Sequence, residues 1–227
     1  LRQLARTLNG LQLRMSELLT DRARTYAALA HDLRTGITRL QLRIEDGRSD
    51  ALAAAQGDLD QMSRLVDDML LYGRSAQLAK RDELVDAVRL ARDWAQTADV
   101  PLEAGAGEES CWFVADAVAL RRVLDNLAEN ARRYAGEPSL HIERDELGLR
   151  LKMLDRGPGI PEADLERVFE PFERLDLSRS RDTGGSGLGL GIARELMRAM
   201  GGDLELRNRE GGGLEARISV PSERLVD

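Results

Sequence analysis

The stretch Ala28-Leu29-Ala30-His31-Asp32-Leu33-Arg34-Thr35-Gly36-Ile37-Thr38-Arg39-Leu40 predicts a helix that displays a histidine. The apolar residues recur at spacings of three and four and form one stripe: Leu29, Leu33, Ile37, Leu40 and Ile44. His31 lies about 200° around the helix from Leu29, which places its imidazole on the water-facing side. Neutral imidazole carries a lone pair near physiological pH. The neighbouring Asp32 carboxylate can accept the proton of one ring nitrogen, which leaves the other ring nitrogen free to act as a nucleophile. The stretch therefore predicts an accessible nucleophile, although a lone surface histidine more often has no chemical task.

The residues before this stretch predict the end of a coiled-coil helix. Leu4, Leu8, Leu11, Met15 and Leu18 alternate spacings of four and three, which is a heptad seam. The register then meets Arg22 and Thr25, two poor seam residues, before it reaches Leu29. Two interpretations stay open: an ordinary long helix, and a signalling helix whose packing register is unsettled just above His31.

The residues after the stretch predict a second helix that folds back on the first. Gly47 supplies a stop signal, and Ser49 or Asp50 can cap the next helix. An amphipathic helix follows and ends near Gly73, with its apolar positions at Leu59, Met62, Val66 and Met69. Two such helices cannot bury their single apolar faces alone. The sequence therefore predicts an all-α helical hairpin that pairs with a second copy into a dimeric four-helix bundle.

Length, charge and cysteine content bound the remaining possibilities. A chain of 227 residues is long enough for two small domains with cores of their own. The net charge of −7 argues against a nucleic-acid partner, because phosphate backbones require a basic face. The single cysteine, Cys111, excludes an internal disulfide, and no apolar run approaches the length that spans a bilayer. Because the chain opens without an initiator methionine, we interpret it as a piece of a longer protein.

The second half of the chain predicts an α+β domain. A short polar linker at 74–82 precedes a helix that is predicted from Leu84 to Trp94. Strands are predicted at 111–114 and 149–154, with a closing hairpin at 204–206 and 215–220. His141 falls on a predicted strand, and neither it nor Cys111 is assigned a chemical role.

The predicted helix at 120–134 has one apolar and one polar face. The polar face gathers Asn126, Glu129, Asn130, Arg133 and Tyr134 at helical spacing. Amide side chains are unfavourable in a helix unless they find partners, so this face indicates either a solvated surface or a binding site. Side-chain oxygens suit Mg²⁺, Arg133 suits a phosphate, and Tyr134 can cover a flat base.

Two glycine-rich segments follow this helix. Asp155-Arg156-Gly157-Pro158-Gly159 comes directly after a predicted strand, where an acidic oxygen can accept the amino group of adenine; alone, such a segment is more often a tight turn. Gly184-Gly185-Ser186-Gly187-Leu188-Gly189-Leu190-Gly191 leads into a helix N-terminus, which is a ready anion site. Neither segment fits the Walker loop or the dinucleotide fingerprint. The charged, unpatterned residues between them, 175–183, are typical of a mobile lid.

In this order the segments resemble the sensor histidine kinases of two-component systems, over nearly the whole chain. His31-Asp32-Leu33-Arg34-Thr35 resembles the phosphoacceptor box of that family, and the helix at 120–134 resembles its asparagine box. The glycine-rich segments are similar to those of the left-handed ATP fold that histidine kinases share with gyrase-type and mismatch-repair ATPases. One departure is Gly36, which stands where the family usually has proline and puts the helix bend below His31 in doubt.

The resemblance implies roles for individual residues. His31 would receive the γ-phosphoryl group of ATP, Asp32 would orient it and accept its proton, and Thr35 would position a water for phosphatase activity on the partner. Asn130 and Asn126 would bind Mg²⁺. The residues expected to contact the nucleotide are Asn126, Asn130, Arg133, Tyr134, Asp155, Gly157, Gly159, Arg174, Gly185, Gly187, Leu188 and Gly189. The implied cofactors are ATP and Mg²⁺.

The implied architecture is multidomain: a dimeric four-helix bundle followed by an α+β two-layer ATP-binding sandwich. Its expected domains are a signalling coiled-coil helix at 1–20, a dimerisation and histidine phosphotransfer domain at 21–78, and a catalytic ATP-binding domain at 79–227. The expected partners are a second copy and the receiver domain of a response regulator, with no nucleic acid. A membrane would be reached only through a segment absent from this chain, which would be the cytoplasmic portion of an inner-membrane sensor.

The sequence is also compatible with two functions other than kinase activity. A dimer that binds nucleotide and signals by shape, without catalysis, stays open because of Gly36 and the unsettled helix above it. A gyrase-like ATPase that releases phosphate is disfavoured by the hairpin that bears His31.

Overall fold

The computed structural model describes residues 33–45, 51, 54–59, 62–63, 66, 83–104, 110–173 and 187–226. The chain divides into two compact units, Leu1–Asp67 and Asp68–Asp227. The heptad seam at 4–18 and the linker at 74–82 lie outside the described residues, as do the candidate residues His31, Asp32, Arg174 and Gly185. None of the helices described is long and apolar enough to cross a bilayer.

The first unit contains two helices that contact each other through a glycine and an ion pair. Helix α1 covers 33–45, and helix α2 is described at 51, 54–59, 62–63 and 66. Gly36 is buried in α1, and a Cβ at this position would lie only 2.9 Å from the Sδ of Met62. The buried Asp58 of α2 pairs with Arg43 at 2.8 Å and with Arg39 at 4.0 Å. Removing Arg43 would leave the buried carboxylate of Asp58 with the more distant Arg39 as its partner.

The apolar stripe of α1 is only partly covered within this unit. Leu33 and Leu40 are half-buried, whereas Ile37 and Ile44 are 46% and 66% exposed. Gly36, the residue before Ile37, is the position of α1 that lies against Met62 of α2. The contact of the two helices therefore leaves one side of the stripe open.

The second unit is an α+β sandwich, as the sequence predicts. Its strands are β1 (Glu83–Asp86), β2 (Leu102–Ala104), β3 (Trp112–Ala115), β4 (Ser139–Asp145), β5 (Gly148–Leu154), β6 (Asp203–Asn208), β7 (Leu214–Pro221) and β8 (Leu225–Val226). Its helices are α3 (Ala87–Thr97), α4 (Ala117–Tyr134) and α5 (Gly189–Ala199). Short 3-10 turns occur at Glu162–Asp164, Arg167–Phe169 and Ser222–Arg224.

A five-stranded sheet carries much of the core on one face. Its order is β2-β4-β5-β7-β6, with β2 parallel to β4 and the other neighbours antiparallel. Along β5, Leu149, Leu151 and Met153 are buried in one cluster with the apolar sides of α3, α4 and α5. The alternate residues Arg150 and Lys152 lie on the opposite face, because side chains alternate along a strand. One layer of helices therefore covers the apolar side of the sheet.

The helix predicted from Leu84 to Trp94 was wrong in its first turn. Residues Glu83–Asp86 form β1, which pairs antiparallel with β3 in a smaller sheet of order β1-β3-β8. Helix α3 begins only at Ala87, because Asp86 acts as its N-cap. The apolar spacing at Leu84, Val88 and Ala91 fits a helix, so periodicity alone does not show this boundary.

Helix α4, which carries the asparagines, begins three residues before its predicted start. Its N-cap is Asp116, whose Oδ1 accepts hydrogen bonds from the main-chain N–H groups of Val118 at 2.9 Å and Ala119 at 3.0 Å. The predicted inward face is buried: Leu120, Val123, Leu124, Leu127 and Ala131. The helix is thus anchored at its start and along one side, which sets the direction of its polar face.

Candidate functional site

The polar face of α4 lies partly against the start of α5. Asn126 and Asn130 are one helical turn apart on this face and half-buried. A Cβ at Gly189, the first residue of α5, would lie 3.7 Å from the Oδ1 of Asn126. The Nδ2 of Asn126 is buried and has no hydrogen-bond partner among the described residues. Because a buried polar group without a partner costs about 1–3 kcal/mol, this amide is suited to a polar ligand.

The end of α4 carries Arg133 and Tyr134. The Nη2 of Arg133 pairs with the Oε1 of Glu129 at 2.5 Å, one turn back on the same helix, and the Arg133 side chain is 26% exposed. A guanidinium has five N–H donors, so this pair leaves donors over for a second acceptor such as a phosphate. Tyr134 is exposed at the last position of the helix.

Asp155 follows β5 directly and is held firmly in a buried position. Its Oδ1 accepts hydrogen bonds from the N–H groups of Gly157 and Leu214, each at 2.9 Å. Its own N–H donates to the carbonyl oxygen of Leu214 at 3.0 Å. Its carbonyl oxygen accepts a hydrogen bond from the Nη1 of Arg209 at 2.6 Å. Its Oδ2 takes part in none of these bonds, so this oxygen is the one suited to accept a ligand N–H.

Two glycines allow the loop after Asp155 to approach its neighbours. A Cβ at Gly157 would lie 2.6 Å from the Cβ of Ala135, the C-cap of α4. A Cβ at Gly159, where φ is +74°, would lie 2.6 Å from the Oδ1 of Asn208. The loop therefore lies directly beside the end of the helix that carries the two asparagines.

The second glycine-rich segment is described from Gly187 onward. Gly187 has a φ of +69°, and its carbonyl oxygen accepts a hydrogen bond from the N–H of Phe172 at 2.9 Å. The side chain of Leu188 is buried in the core, so only its main chain can face a ligand. Helix α5 then begins at Gly189 without a side-chain cap. An uncapped helix N-terminus beside Asn126 is suited to binding an anion.

Three residues of the β6–β7 hairpin that no sequence motif predicts also shape the site: Asn208, Arg209 and Gly213. Asn208 and Arg209 hydrogen-bond to the loop that begins at Asp155. A Cβ at Gly213, where φ is +97°, would overlap the carbonyl oxygen of Asp155. The glycine run that ends at Gly213 is the only sequence signal for this contact, since its partner, Asp155, lies in a loop far back along the chain.

The donors in this site suit a cation that is shared with a ligand. Within the described ranges, no group of three or more His, Cys, Asp or Glu side chains is arranged to hold a metal ion. The amide oxygens of Asn126 and Asn130 are hard ligands of the kind that Mg²⁺ accepts together with water and phosphate oxygens. The residues present therefore fit Mg²⁺ bound with a nucleotide rather than a metal held by the protein alone.

Comparison with known sequences assigns the second unit to a class of ATP-binding domains. The sequence profile of the family described as histidine kinase-, DNA gyrase B-, and HSP90-like ATPase matches residues 115–224. This range contains α4 with its two asparagines, the loop of Asp155, and α5 with the glycines before it. The second unit is therefore an ATP-binding α/β sandwich of this class.

Full-length relatives extend the similarity to both units. The chain is 36% identical over 222 residues to the sensor histidine kinase GtrS of Pseudomonas aeruginosa, covering 96% of this chain and 46% of that protein. It is 35% identical over 222 residues to the sensor protein RstB of Escherichia coli, covering 91% of this chain and 50% of that protein. The solved structure of histidine kinase ThkA in complex with the response regulator protein TrrA is similar in fold, with a TM-score of 0.70 at 22% identity over 90% of this chain and 63% of that chain.

Over nearly its whole length the chain is similar to sensor histidine kinases, the family that the order of its motifs predicts. It spans about half the length of the curated relatives it matches.

Proposed function

We propose that this chain binds ATP in its second unit and transfers the γ-phosphoryl group to His31, and from there to an aspartate on the receiver domain of a response regulator. The observation that carries the proposal is the arrangement at the ATP-binding domain. There, the Nδ2 of Asn126, which has no hydrogen-bond partner among the described residues, lies on α4 beside the uncapped start of α5. The fixed carboxylate of Asp155 begins the loop that lies beside the end of α4. The similarity to the sensor histidine kinase GtrS and the sensor protein RstB, and the solved complex of ThkA with TrrA, support the kinase activity and the class of partner.

Each part of the nucleotide has a proposed set of contacts. The Oδ2 of Asp155 accepts a hydrogen bond from the adenine amino group, in the loop made by Gly157 and Gly159. Tyr134 covers the base. The phosphates lie at the start of α5, with main-chain contacts at Gly185, Gly187, Leu188 and Gly189 and side-chain contacts from Arg133 and Arg174. Mg²⁺, when bound to Asn130 and Asn126, neutralises phosphate charge.

The chemical step requires orientation and charge neutralisation more than covalent help from the protein. A ring nitrogen of His31 attacks the γ-phosphorus and forms a P–N bond. The bond from that phosphorus to the oxygen bridging to the β-phosphate breaks, and ADP leaves with the electron pair. Asp32 accepts the proton that the imidazole loses from its other ring nitrogen.

A dimer is proposed from the side of the hairpin that the first unit leaves open. Ile37 and Ile44 of α1 are seven residues apart and exposed, and so are Leu59 and Val66 of α2. A seven-residue repeat keeps each pair on one face of its own helix, which is the pattern of helices that pack in bundles. A second copy of this chain would cover these faces in a four-helix bundle. Light scattering should give twice the chain mass, and Ile37→Glu with Ile44→Glu should give the mass of one chain.

A phosphatase activity on the regulator is proposed for Thr35. This residue is exposed on α1 and lies four positions after His31, the spacing that puts two residues on the same side of a continuous helix. A hydroxyl at this place can orient a water towards the phosphoryl group of the partner. Thr35→Ala should retain labelling of His31 and lose regulator dephosphorylation.

We propose further that the chain is the cytoplasmic portion of an inner-membrane sensor.

The kinase proposal is tested by labelling the chain from [γ-³²P]ATP. The chain has two histidines, so His141→Gln is a matched control for His31→Gln. Label that is acid-labile, base-stable, lost in His31→Gln and kept in His141→Gln supports the proposal. ATP binding without any label would favour the scaffold without catalysis, and steady phosphate release from His31→Gln would favour a simple ATPase.

A further inference from the structure

The loop that presents Asp155 is joined to the β6–β7 hairpin at both of its ends. At its far end, the side chain of Asn208 pairs with the main chain of Ile160. Its Oδ1 accepts the Ile160 N–H at 2.9 Å, and its Nδ2 donates to the Ile160 carbonyl oxygen at 2.7 Å. The same Nδ2 donates to the Oε1 of Glu162 at 3.0 Å. Asn208 therefore uses one acceptor and two donor hydrogens at once, which an amide can supply and a carboxylate cannot.

At the near end, Arg209 fixes the residue that bears the carboxylate. Its Nη1 donates to the carbonyl oxygen of Asp155 at 2.6 Å, and its main chain closes the hairpin turn through a bond from its N–H to the Gly213 carbonyl oxygen at 3.0 Å. Leu214, the next residue, bonds both to the Asp155 main chain and to its Oδ1. The N–H, the carbonyl oxygen and the Oδ1 of Asp155 are thus all bonded to this hairpin.

We propose that Asn208 and Arg209 are positioning residues for adenine recognition, which hold the loop from Asp155 to Ile160 so that the Oδ2 of Asp155 faces the base. The inference rests on the proposed function, in which Asp155 binds the adenine amino group. Neither side chain touches the nucleotide. Both act by fixing a hydrogen-bond acceptor in advance, so that binding does not have to order the loop.

The test compares ATP with purine riboside triphosphate, which lacks only the 6-amino group of the base. Dissociation constants of the full chain for both nucleotides are measured by calorimetry. The selectivity ratio is the dissociation constant for purine riboside triphosphate divided by that for ATP. It reports on the Asp155 contact alone, since the sugar and the phosphates of the two nucleotides are identical. We expect Arg209→Ala and Asn208→Asp to lower the ratio roughly tenfold, because a small displacement of a positioned group weakens its contact strongly. Arg207→Ala is the matched control: this arginine lies on β6, is exposed and pairs with Glu205 at 2.9 Å.

A double-variant comparison separates positioning from stability. Asp155→Asn keeps an Oδ1 that accepts the bonds from Gly157 and Leu214 but replaces Oδ2 with an amide that cannot accept. In this background, Arg209→Ala should change the ratio no further. If Arg209→Ala does not fold, Arg209→Lys and Asn208→Asp carry the same comparison.

The outcomes distinguish the inference from the proposal on which it rests. A wild-type chain that does not prefer ATP overturns both the role of Asp155 and this inference. A selective wild-type chain whose selectivity is unchanged in Arg209→Ala and Asn208→Asp overturns the inference alone. An equal loss of affinity for both nucleotides also overturns it, because a purely structural role would produce that result.

Discussion

The carboxylate of Asp86 accepts a hydrogen bond from the buried main-chain N–H of Cys111, with 3.2 Å between the Oδ1 and the nitrogen. The same oxygen caps α3 through the N–H of Arg89, also at 3.2 Å. One side chain thus fixes the start of a helix and the residue before β3. Burial raises the pKa of Asp86, but the hydrogen bonds from Arg89, Ser110 and Cys111 outweigh it, and the pKa lies below its ordinary value of 3.8.

The lowered pKa of Asp86 predicts a loss of stability in acid. A carboxyl whose pKa is lower in the folded protein stabilises the fold fully above about pH 4, and this contribution disappears as the pH falls through the folded-state pKa. Asp86→Asn keeps the Oδ1 acceptor but cannot ionise, so its free energy of unfolding should fall less steeply below about pH 4. Urea unfolding at a series of pH values measures this, and identical slopes for both chains would contradict it.

At neutral pH, Asp86→Ala should lower the free energy of unfolding by about 1–2 kcal/mol, because the N-cap of α3 is lost.

The indole of Trp94 provides a second test, on the packing of α3 against α4. Trp94 is 4% exposed, and its Nε1–H donates to the Oδ1 of Asp125 at 2.7 Å, next to Asn126 in the chain. Asp125→Ala leaves a buried N–H unpaired and should lower the free energy of unfolding by about 1–3 kcal/mol. Denaturant unfolding measures this, and a Trp112→Phe background makes Trp94 the only tryptophan whose fluorescence is followed.

The control for Asp125 is Asp93, an exposed carboxylate on α3. Asp93 pairs with Arg89 at 3.9 Å, and both side chains are largely in solvent. Because surface ion pairs contribute about 0–1 kcal/mol, Asp93→Ala should leave stability and Trp94 fluorescence nearly unchanged. Equal effects of the two substitutions would show that the buried hydrogen bond is not the cause.

Local sequence patterns predicted the parts of the fold whose determinants lie close together in the chain. Helix α4 has a long apolar face, the loop of Asp155 follows a strand, and β6 and β7 form the expected hairpin. Strand β1 was missed because it has four residues and its partner, β3, lies beyond α3 and β2. Asn208 and Arg209 were missed because two polar residues shortly before a glycine run are typical of an ordinary turn. Their hydrogen-bond partners, Ile160 and Asp155, lie 48 and 54 positions earlier in the chain.

Gly213 provides a third test, in which two neighbouring glycines separate backbone strain from crowding. Gly212 and Gly213 both have positive φ, at +102° and +97°. A Cβ at Gly212 meets nothing within 4 Å, whereas one at Gly213 would overlap the Asp155 carbonyl oxygen. Gly212→Ala should cost about 1–3 kcal/mol, the usual cost of a strained backbone conformation.

Gly213→Ala should cost more than Gly212→Ala and should also weaken ATP binding, because the Asp155 backbone has to move. Thermal unfolding and calorimetric titration with ATP measure the two effects. Equal stability losses in both variants, with ATP affinity unchanged, would show that the loop accommodates the added methyl group elsewhere.

Gly36 and Gly57 provide the last test, on the contact between α1 and α2. Both glycines lie in helical residues, where replacement by alanine gains about 1 kcal/mol from helix propensity alone. A Cβ at Gly57 meets nothing within 4 Å, so Gly57→Ala should raise the free energy of unfolding by roughly that amount. A Cβ at Gly36 would lie 2.9 Å from the Sδ and 3.0 Å from the Cγ of Met62, so the side chain of Met62 has to shift and the gain should vanish or reverse. In a Met62→Ala background the crowding is gone, and Gly36→Ala should then stabilise the chain as Gly57→Ala does. Equal gains from both substitutions in the wild-type background would show that α1 and α2 do not depend on this close approach.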